Sequence, residues 1–389
     1  MRTVGVVTTS RADFGICRPI LRALVVEPSM RLALYVSGMH LSARFGNTVD
    51  EIEAEGFGVA ERVGVLSDLD TPEAVASAMA RGVSGFARVF ARRRPDLLLV
   101  IGDRFEMHAA ALAALPFGIP VAHIHGGETT EGAFDESLRH CVTKLSHLHF
   151  VANQEYARRV VQLGEEPWRV TVAGAPSLDN LQDLDPLSPD ELEREQGIRV
   201  TPETLLVTFH PTTLEYEDAG VQTDELLAAL EESGRPLVFT MPNADTDGLA
   251  IRSRIESFVA RCPRAAASEN LGTRGYFGAM AACAAMVGNS SSALVEAPSF
   301  GLPAVNVGNR QRGRMRGANV IDTGYRRVDI SSAITLALTP AFRESLLGKP
   351  NPYGDGLASP RIVTRLKEIP LDSSLIMKRF YDLPGRGIL

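Results

Sequence analysis

The chain has 389 residues, of which 45% are hydrophobic and 22% are charged, and its formal net charge at pH 7 is −7. This length allows two ordinary domains, and the composition is that of a soluble globular protein. The negative charge argues against a nucleic acid or an acidic membrane surface as the main partner, but it is compatible with a local basic pocket for a small anion.

The four cysteines, Cys17, Cys141, Cys262 and Cys283, are widely separated and form no C-x-x-C pair. This spacing favours reduced thiols over a disulfide framework or a zinc site. The N-terminal apolar run is too short for a signal peptide, and no stretch approaches the length of a membrane span. We therefore expect a soluble, cytoplasmic protein.

Short apolar runs alternate with amphipathic segments along the whole chain, a pattern typical of α/β proteins whose parallel sheets have right-handed crossovers. Two series of strands are predicted. The first comprises residues 3–8, 32–36, 97–101, 121–125, 148–151 and 170–173, and the second comprises 205–209, 237–241, 284–287, 304–307 and 320–322.

A polar, acidic segment with two prolines, residues 178–189, separates the two series, and a short helix over 189–196 follows it. We predict an N-terminal Rossmann-like domain over residues 1–178 and a second over 179–368, closed by a helix at 359–368. A C-terminal helix over about 369–389 would pack back on the first domain. In such proteins, ligands bind where the carboxyl ends of the strands face a cleft between the domains.

Two strand ends in the first half carry charged residues. "VTTSRADFG" places Arg11 and Asp13 where a strand gives way to a helix, which suits either an anionic ligand or an ordinary loop with Asp13 as the helix cap. "LLLVIGDRFE" places Asp103 and Arg104 in the same position after another strand. Asp103 is equally consistent with a helix cap and with an acid–base carboxylate.

The segment "VAHIHGGETTEGAFDESLRH" is the densest polar cluster in the chain. His123 and His125 would share one face of a strand, which suggests either core histidines, a metal site or acid–base groups. Acid–base use is favoured because histidines and carboxylates in one cleft offer several tunable pKa values. Asp135 and Glu136 follow at a predicted helix start, where either residue could also act as a cap.

In the second half, "LLVTFHPTT" ends a strand with His210, and "MVGNSSSALVEAPSFG" ends another with three serines. Hydroxyl and free N–H groups at a helix start can hold a phosphate without a lysine, and Glu296 could reach a ribose diol. Arg310 and three further arginines follow, as a diphosphate site or as a solvated loop. No P-loop and no G-x-G-x-x-G motif occurs, which weighs against ATPases and dinucleotide enzymes.

Taken together, several motifs resemble the hydrolysing UDP-N-acetylglucosamine 2-epimerases of sialic-acid-type pathways. They are "TSRADFG", "GDRFE", "HIHGGE", "DESLRH", "GNSSSALVEAPSFGLPAVNVGNRQRGR" and "NPYGDGLASPRI", in order over about residues 3 to 365. The resemblance implies the glycosyltransferase-B architecture, with a C-terminal helix crossing back. It also implies that UDP-N-acetylglucosamine (UDP-GlcNAc) and water become N-acetylmannosamine (ManNAc) and UDP through a 2-acetamidoglucal, without a cofactor or metal, in a homodimer or homotetramer.

The resemblance also assigns roles to individual residues. Asp103 and Asp135 match acid–base carboxylates, and His210 matches a cleft histidine. The UDP contacts would come from Arg11, Arg104, His210, Ser290, Ser291, Glu296 and Arg310. Some members carry Glu where this chain has His125, so His125, Glu128 or Glu136 takes the role of that catalytic carboxylate. Which group is the base and which is the acid is left open.

Four other functions compete with this one. The same reaction on UDP-2,4-diacetamido-2,4,6-trideoxyglucose, the legionaminic acid route, differs only at C4 and C6 of the sugar. A non-hydrolysing epimerase, a glycosyltransferase of the same architecture and an inactive nucleotide-sugar sensor are the others. The "GNSSS" and "HIHGGE" motifs favour the hydrolysing branch over the non-hydrolysing one.

Overall fold

The computed structural model describes residues 1–67, 71–131, 134–183, 185–211, 218–241 and 248–383. Its strands are β1 (Arg2–Thr8), β2 (Met30–Ser37), β3 (Val59–Val63), β4 (Leu97–Ile101), β5 (Val121–Ile124), β6 (Leu148–Val151), β7 (Val170–Val172), β8 (Leu205–Thr208), β9 (Leu237–Thr240), β10 (Ala265–Ser268), β11 (Ala285–Gly288), β12 (Ala304–Val307) and β13 (Val320–Thr323).

The helices lie between these strands, as the alternation of apolar and amphipathic segments predicts. They are α1 (Arg11–Val26), α2 (Val49–Ala54), α3 (Pro72–Arg92), α4 (Phe105–Ala114), α5 (Asp135–Leu145), α6 (Gln154–Gln162), α7 (Asn180–Asp183), α8 (Pro189–Gln196), α9 (Ala219–Glu232), α10 (Gly248–Arg261), α11 (Gly272–Ala282), α12 (Ser292–Val295), α13 (Arg327–Ala337), α14 (Pro340–Ser345), α15 (Ala358–Glu368) and α16 (Ser373–Ile376).

The chain divides into two compact units, and the first contains a seven-stranded parallel sheet in the order β3-β2-β1-β4-β5-β6-β7. Described residues within Met1–Glu128, Phe134–Gln182 and Tyr353–Leu389 belong to it. Its central strands are buried along their whole length, as in the "LLLVI" run of β4. Helices cover both faces of such a sheet, which explains strands that are continuously apolar. The predicted α/β class is confirmed.

The second unit contains a six-stranded parallel sheet in the order β10-β9-β8-β11-β12-β13. Described residues within Thr129–Ala133 and Asp183–Pro352 belong to it. A separate apolar core lies between this sheet and the helices α9, α10 and α13. The short stretch that begins at Thr129 therefore belongs to the second unit, although first-unit residues flank it in the chain.

Two boundary predictions differ from the structure. The helix predicted at 359–368 was assigned to the second domain, but α15 packs against α1 in the first unit. The apolar side chains of α15, among them Ile362 and Leu366, lie in the core of the first unit. Burial of this apolar helix face favours the return of the chain to the first unit. The return to the first unit begins at Tyr353 and not at about 369. Of the predicted C-terminal helix only α16 is helical, and 384–389 lie outside the described residues.

A buried ion cluster fastens the last described residues to the first unit. The carboxylate of Glu165 is fully buried, and it accepts from Lys144 Nζ at 2.5 Å, Lys378 Nζ at 2.7 Å and His149 Nε2 at 3.0 Å. Burial alone would raise the pKa of Glu165, but these three hydrogen bonds outweigh it and lower the pKa to about 2. The cluster ties the C-terminal segment, through Lys378, to β6 and α5.

Replacing Glu165 by Gln should lower the free energy of unfolding by about 3 kcal/mol at neutral pH, because the change leaves Lys378, whose side chain is only 17% exposed, without its counter-ion. A depressed folded-state pKa contributes stability that is fully present above pH 5 and is lost towards pH 2. The deficit should therefore shrink in urea unfolding at pH 3. The exposed pair of Arg252 and Glu256 provides the control, since Glu256→Gln should cost less than about 1 kcal/mol. An equal deficit at both pH values would contradict this account.

Candidate active site

Most of the predicted catalytic residues of the first unit follow β4 and β5, which are neighbouring parallel strands. Asp103 and Arg104 come after β4, and His125 and Glu128 come after β5. Asp135 and Glu136 open the next helix, α5. The carboxyl ends of parallel strands meet at one edge of a sheet, so the fold itself gathers these side chains.

Asp103 is held by an arginine. Its carboxylate accepts a hydrogen bond from Nη2 of Arg139, whose side chain is only 3% exposed. The N-cap position of α4 is occupied by Arg104, and no side-chain hydrogen bond caps that helix. The interpretation of Asp103 as a helix cap is therefore wrong, and an ion pair with Arg139 takes its place.

The same guanidinium also fixes the backbone of His125. Nη1 of Arg139 donates to the carbonyl oxygen of His125 at 3.0 Å, and the amide of His125 donates to Phe150 O at 3.1 Å. His125 has a φ of 65°, in the left-handed region that few residues other than glycine adopt. Such a conformation persists only where its surroundings enforce it, and it is frequent at functional sites.

His125 and Glu128 form a hydrogen-bonded pair. Nδ1 of His125 lies 2.6 Å from Oε1 of Glu128, and the two side chains are 12% and 5% exposed. A carboxylate can only accept, so Nδ1 carries the proton in the neutral ring and Nε2 carries the lone pair. Nε2 is buried and meets no hydrogen-bond partner among the residues that the structure describes. In its neutral form the ring presents Nε2 as an oriented nitrogen with a lone pair, the form a general base requires.

His123 has a different environment from His125. Its Nε2 lies 2.8 Å from Gly102 O, and its Nδ1 lies 3.2 Å from Thr143 Oγ1. Complete burial lowers the pKa of His123 to about 3, so the ring is neutral and supports the turn that carries Asp103. Within the described ranges, no group of three or more His, Cys, Asp or Glu side chains is arranged to hold a metal ion.

Asp135 lies at the start of α5, and its pKa is raised to about 6 by burial and, secondarily, by the negative charge of Asp103. Glu136 instead points to His140, with its Oε1 at 3.0 Å from Nε2 one helical turn further on. Neither acid is the cap, because Phe134 holds the N-cap position without a side-chain bond. Among His125, Glu128 and Glu136, the three residues considered for the role of the catalytic carboxylate, Glu136 therefore pairs with His140, whereas the other two pair with each other.

The two predicted arginine ligands of the first unit differ in setting. Nε of Arg104 lies 3.5 Å from Oε2 of Glu106, whose fully buried carboxyl group has a raised pKa because of its desolvation. Arg11 is half exposed and pairs with Glu51 at 2.5 Å. Ser10, and not Asp13, caps α1, since its hydroxyl accepts from the Asp13 amide. Asp13 is itself buried, which raises the pKa of its carboxyl group.

In the second unit, His210 follows β8 and lies beside the end of β11. It is 9% exposed, and burial, aided by the charge of Arg310, lowers the pKa of its ring to about 3. Its amide donates to Oδ1 of Asn289 at 2.7 Å. Nη1 of Arg310 donates to the carbonyl oxygen of Asn289 at 3.1 Å, so this asparagine contacts both predicted ligands.

The serines after β11 open a helix of a single turn, α12, which is shorter than the sequence suggests. Ser291 occupies its N-cap position without a side-chain hydrogen bond, and Ser290 Oγ accepts from the Ser292 amide at 3.3 Å. Burial raises the pKa of the Tyr276 phenol in α11, and the side chains of Ser292 and Ser290 oppose this rise. Glu296 closes the turn and is 9% exposed.

The remaining arginines of the basic loop have local partners. Arg312 lies 3.4 Å from Glu131, Arg314 donates to Thr129 O at 3.0 Å, and Arg316 pairs with Asp322. Arg310 is therefore the arginine of this loop that the structure places beside Asn289 and His210. A role of Arg310 as a diphosphate ligand stays a prediction.

Three residues of the site were not among those predicted. Arg139 lies four residues after Asp135 in "DESLRH", and this helical spacing is a signal that could have assigned it. Asn289 and Tyr276 gave no such signal, because an asparagine after a strand and a tyrosine in a helix have many ordinary uses.

The family model described as UDP-N-acetylglucosamine 2-epimerase matches residues 22–367. The chain belongs to this family. A protein of Legionella pneumophila named UDP-N,N'-diacetylbacillosamine 2-epimerase (hydrolyzing) is 36% identical, with 97% of this chain and 99% of the relative covered. The polysialic acid biosynthesis protein P7 of Escherichia coli is 33% identical, over 99% of this chain and 98% of its own.

Among solved structures, UDP-GlcNAc 2-epimerase from Neisseria meningitidis bound to UDP-GlcNAc has a TM-score of 0.81, with 20% identity. The match covers 95% of this chain and 100% of that one, and it supports the fold. The resemblance to hydrolysing 2-epimerases and the glycosyltransferase-B-like architecture are thus confirmed. None of the helices in the described part of the chain has the length and apolarity needed to cross a membrane.

Proposed function

We propose that this family member is a hydrolysing 2-epimerase that converts UDP-GlcNAc and water to ManNAc and UDP. The observation that carries the proposal is the pair of His125 and Glu128 together with Asp135. Glu128 orients the imidazole of His125, and the carboxyl group of Asp135 has a pKa raised to about 6 by burial. Inversion at C2 needs a base on one face of the sugar and an acid on the other. An imidazole can accept a proton and a carboxyl group with a raised pKa can donate one, so His125 would be the base and Asp135 the acid.

In the first step, Nε2 of His125 removes the proton from C2 of the sugar. The C2–H electron pair forms the C1–C2 double bond, the C1–O bond breaks, and UDP leaves with that electron pair. Glu128 stabilises the imidazolium that forms, as carboxylates do for histidine bases. His125 then releases its proton to solvent, and the product of the step is 2-acetamidoglucal.

In the second step, Asp135 delivers a proton to the other face of C2 and water forms the new C1–O bond. The proton lost by that water replaces the one that Asp135 gave up. Burial and, secondarily, the charge of Asp103 raise the pKa of Asp135, and Arg139 holds Asp103 and the His125 backbone in place. The sequence of steps is redox-neutral and uses no cofactor or metal.

The second unit would hold the UDP. His210 and Arg310 supply donors for the diphosphate, Ser290 and Ser291 supply hydroxyl groups, and Glu296 accepts from the ribose. Arg11 and Arg104 of the first unit are proposed as further diphosphate ligands. Cations and N–H donors at a leaving diphosphate stabilise the charge that develops as the C1–O bond breaks.

A second substrate has specific support. The Legionella relative is named for a diacetylbacillosamine sugar, and the Escherichia coli relative is named for polysialic acid biosynthesis. Their identities to this chain, 36% and 33%, are similar. We therefore keep UDP-2,4-diacetamido-2,4,6-trideoxyglucose as the alternative to UDP-GlcNAc.

The test is proton NMR of the purified protein in D2O with each of the two nucleotide sugars separately. Free ManNAc deuterated at C2, together with UDP, is the expected result with UDP-GlcNAc. Turnover of the diacetamido sugar alone would transfer the assignment to the legionaminic route. Product that keeps UDP attached would indicate a non-hydrolysing epimerase, and UDP binding without turnover of either sugar would contradict the catalytic proposal.

We also propose that the protein is cytoplasmic and assembles as a homodimer or homotetramer. The reduced cysteines expected of the chain support the location, and the resemblance supports the assembly. Multi-angle light scattering of the purified protein measures the assembly state directly, and a monomer at micromolar concentration would contradict it.

A further inference from the structure

Asn289 lies where the pairing of two central strands ends. The parallel register of β8 and β11 stops at Thr208 and Gly288. Gly288 has a φ of 134°, and a Cβ atom on it would lie 1.9 Å from Thr208 O, so only glycine fits at this approach. The Asn289 amide then donates to Thr208 O at 3.0 Å. The backbone of Asn289 is therefore fixed by strand pairing before its side chain is considered.

The side chain of Asn289 continues this pairing by one further rung. Its Oδ1 accepts from the amide of His210 at 2.7 Å, and its Nδ2 donates to the carbonyl of His210 at 2.8 Å. The asparagine is completely buried. These two hydrogen bonds from one planar amide hold both backbone polar groups of His210. They therefore fix the backbone from which the imidazole ring extends.

The carbonyl oxygen of Asn289 holds the basic loop as well. It accepts from Arg310 Nη1 at 3.1 Å and from Gln311 Nε2 at 2.8 Å, and Gln311 is 2% exposed. One residue thus bonds to His210 through its side chain and to Arg310 through its main chain. The polar atoms of Asn289 all bond to protein groups.

We propose that Asn289 is a positioning residue that sets His210 and Arg310 in one fixed arrangement for a nucleoside diphosphate. The inference rests on the proposed function, in which those two residues hold the diphosphate of the substrate. The side chain of Asn289 acts through His210, so a substitution that changes only the side-chain amide tests the positioning of His210. The Arg310 contact, which uses the main chain, is left in place by such a change.

The test is the variant Asn289→Asp, which keeps the size and the oxygen that accepts from the His210 amide. It replaces the Nδ2 donor by a second oxygen, which faces the His210 carbonyl without a proton to share. We expect the dissociation constant for UDP, measured by calorimetry, to rise about 10- to 100-fold. In a His210→Ala background, Asn289→Asp should raise the dissociation constant for UDP by less than about threefold. The effects of two substitutions are not additive when one residue acts through the other.

The matched control is Asn319→Asp. Asn319 is also buried in the second unit and donates from Nδ2 to two carbonyl oxygens, those of Ala293 at 3.1 Å and Leu302 at 3.0 Å. It should lower thermal stability as Asn289→Asp does, yet leave UDP affinity within about threefold of the unsubstituted protein. An Asn319→Asp variant that weakens UDP to the same degree would reduce Asn289 to a stabilising residue and overturn the inference.

The two readouts separate this inference from the proposed function. If the unsubstituted protein binds UDP but turns over neither nucleotide sugar, the catalytic proposal fails while the binding cycle still decides the role of Asn289. Equal weakening by Asn289→Asp with and without His210 would overturn the inference alone. An unsubstituted protein that binds no UDP overturns both, because the diphosphate ligands would then be misassigned.

Discussion

Replacing His125 by Gln should lower kcat about 10³-fold and stop the exchange of the C2 proton, because the amide has no lone-pair nitrogen to act as a base. UDP affinity should stay within about threefold, since His125 makes its contacts to Glu128, Arg139 and Phe150. Deuterium incorporation at C2 by NMR and UDP binding by calorimetry measure the two effects separately. Loss of UDP binding in this variant would contradict the assignment.

The matched variant combines His125→Glu with Glu128→Gln. It supplies the carboxylate that the family resemblance implies at this position and avoids placing two carboxylates at the 2.6 Å contact. Activity should return in part, with a changed pH profile. A base works only when it is deprotonated, and an ordinary Glu titrates near pH 4.3, about two units below His. The acid limb of kcat/KM should therefore move to lower pH, whereas an unmoved limb would indicate a base other than residue 125.

Replacing Asp135 by Asn should have opposite effects on activity and stability. Turnover should fall about 10²- to 10⁴-fold, because the amide cannot deliver a proton to C2. The folded protein holds the pKa of Asp135 at about 6, above its ordinary value, so folding is penalised when the group is ionised. Removing the charge should therefore raise the free energy of unfolding by about 2 kcal/mol at pH 8.

For most acids the folded-state pKa is lowered and the charge stabilises the fold, whereas the raised pKa of Asp135 means that its charge destabilises the fold. At pH 3 and below, Asp135 is protonated in the folded state and largely so in the unfolded state, so the gain from Asp135→Asn should nearly vanish there. Urea unfolding at pH 8 and pH 3 measures both values. Asp372→Asn is the control, because hydrogen bonds from Ser374 lower the pKa of that carboxyl group and its replacement should bring no gain at pH 8. A gain for Asp135→Asn that is independent of pH would contradict burial of a charge as its cause.

The sequence predicts the central strands well, because burial on both faces requires continuous apolar runs. The segments 97–101, 148–151 and 304–307 match β4, β6 and β12 to the residue. Strands β3 and β10 were missed, and both lie at the edge of their sheet. Their sequences, "VAERV" and "AAAS", are only partly buried, so packing places little demand on their composition. The return of α15 was assigned to the wrong unit, since amphipathicity shows that a helix packs but not against which core.

The residues of the candidate site also divide into those that local sequence patterns indicate and those that only the fold brings together. Strand ends and the polar cluster around residue 125 indicated where Asp103, Asp135 and His210 would lie. The ion pair between Asp103 and Arg139 joins residues 36 apart, and the contact of Asn289 with His210 joins residues 79 apart. No periodicity of the sequence encodes such pairs, because the fold alone sets those distances. The left-handed backbone of His125 likewise depends on its hydrogen bonds to Arg139 and Phe150.

The return of the chain to the first unit has a consequence for biosynthesis. Ile362, Leu366 and Leu375 complete a core that begins with β1, and Arg2 donates to the carbonyl of Ile369 at 2.9 Å. The second unit is made almost wholly of one uninterrupted segment and can close as soon as that segment has left the ribosome. The first unit is translated first, but its core is incomplete until α15 and α16 have been synthesised. We therefore expect its exposed strands to need protection during translation, and truncations before residue 353 to aggregate.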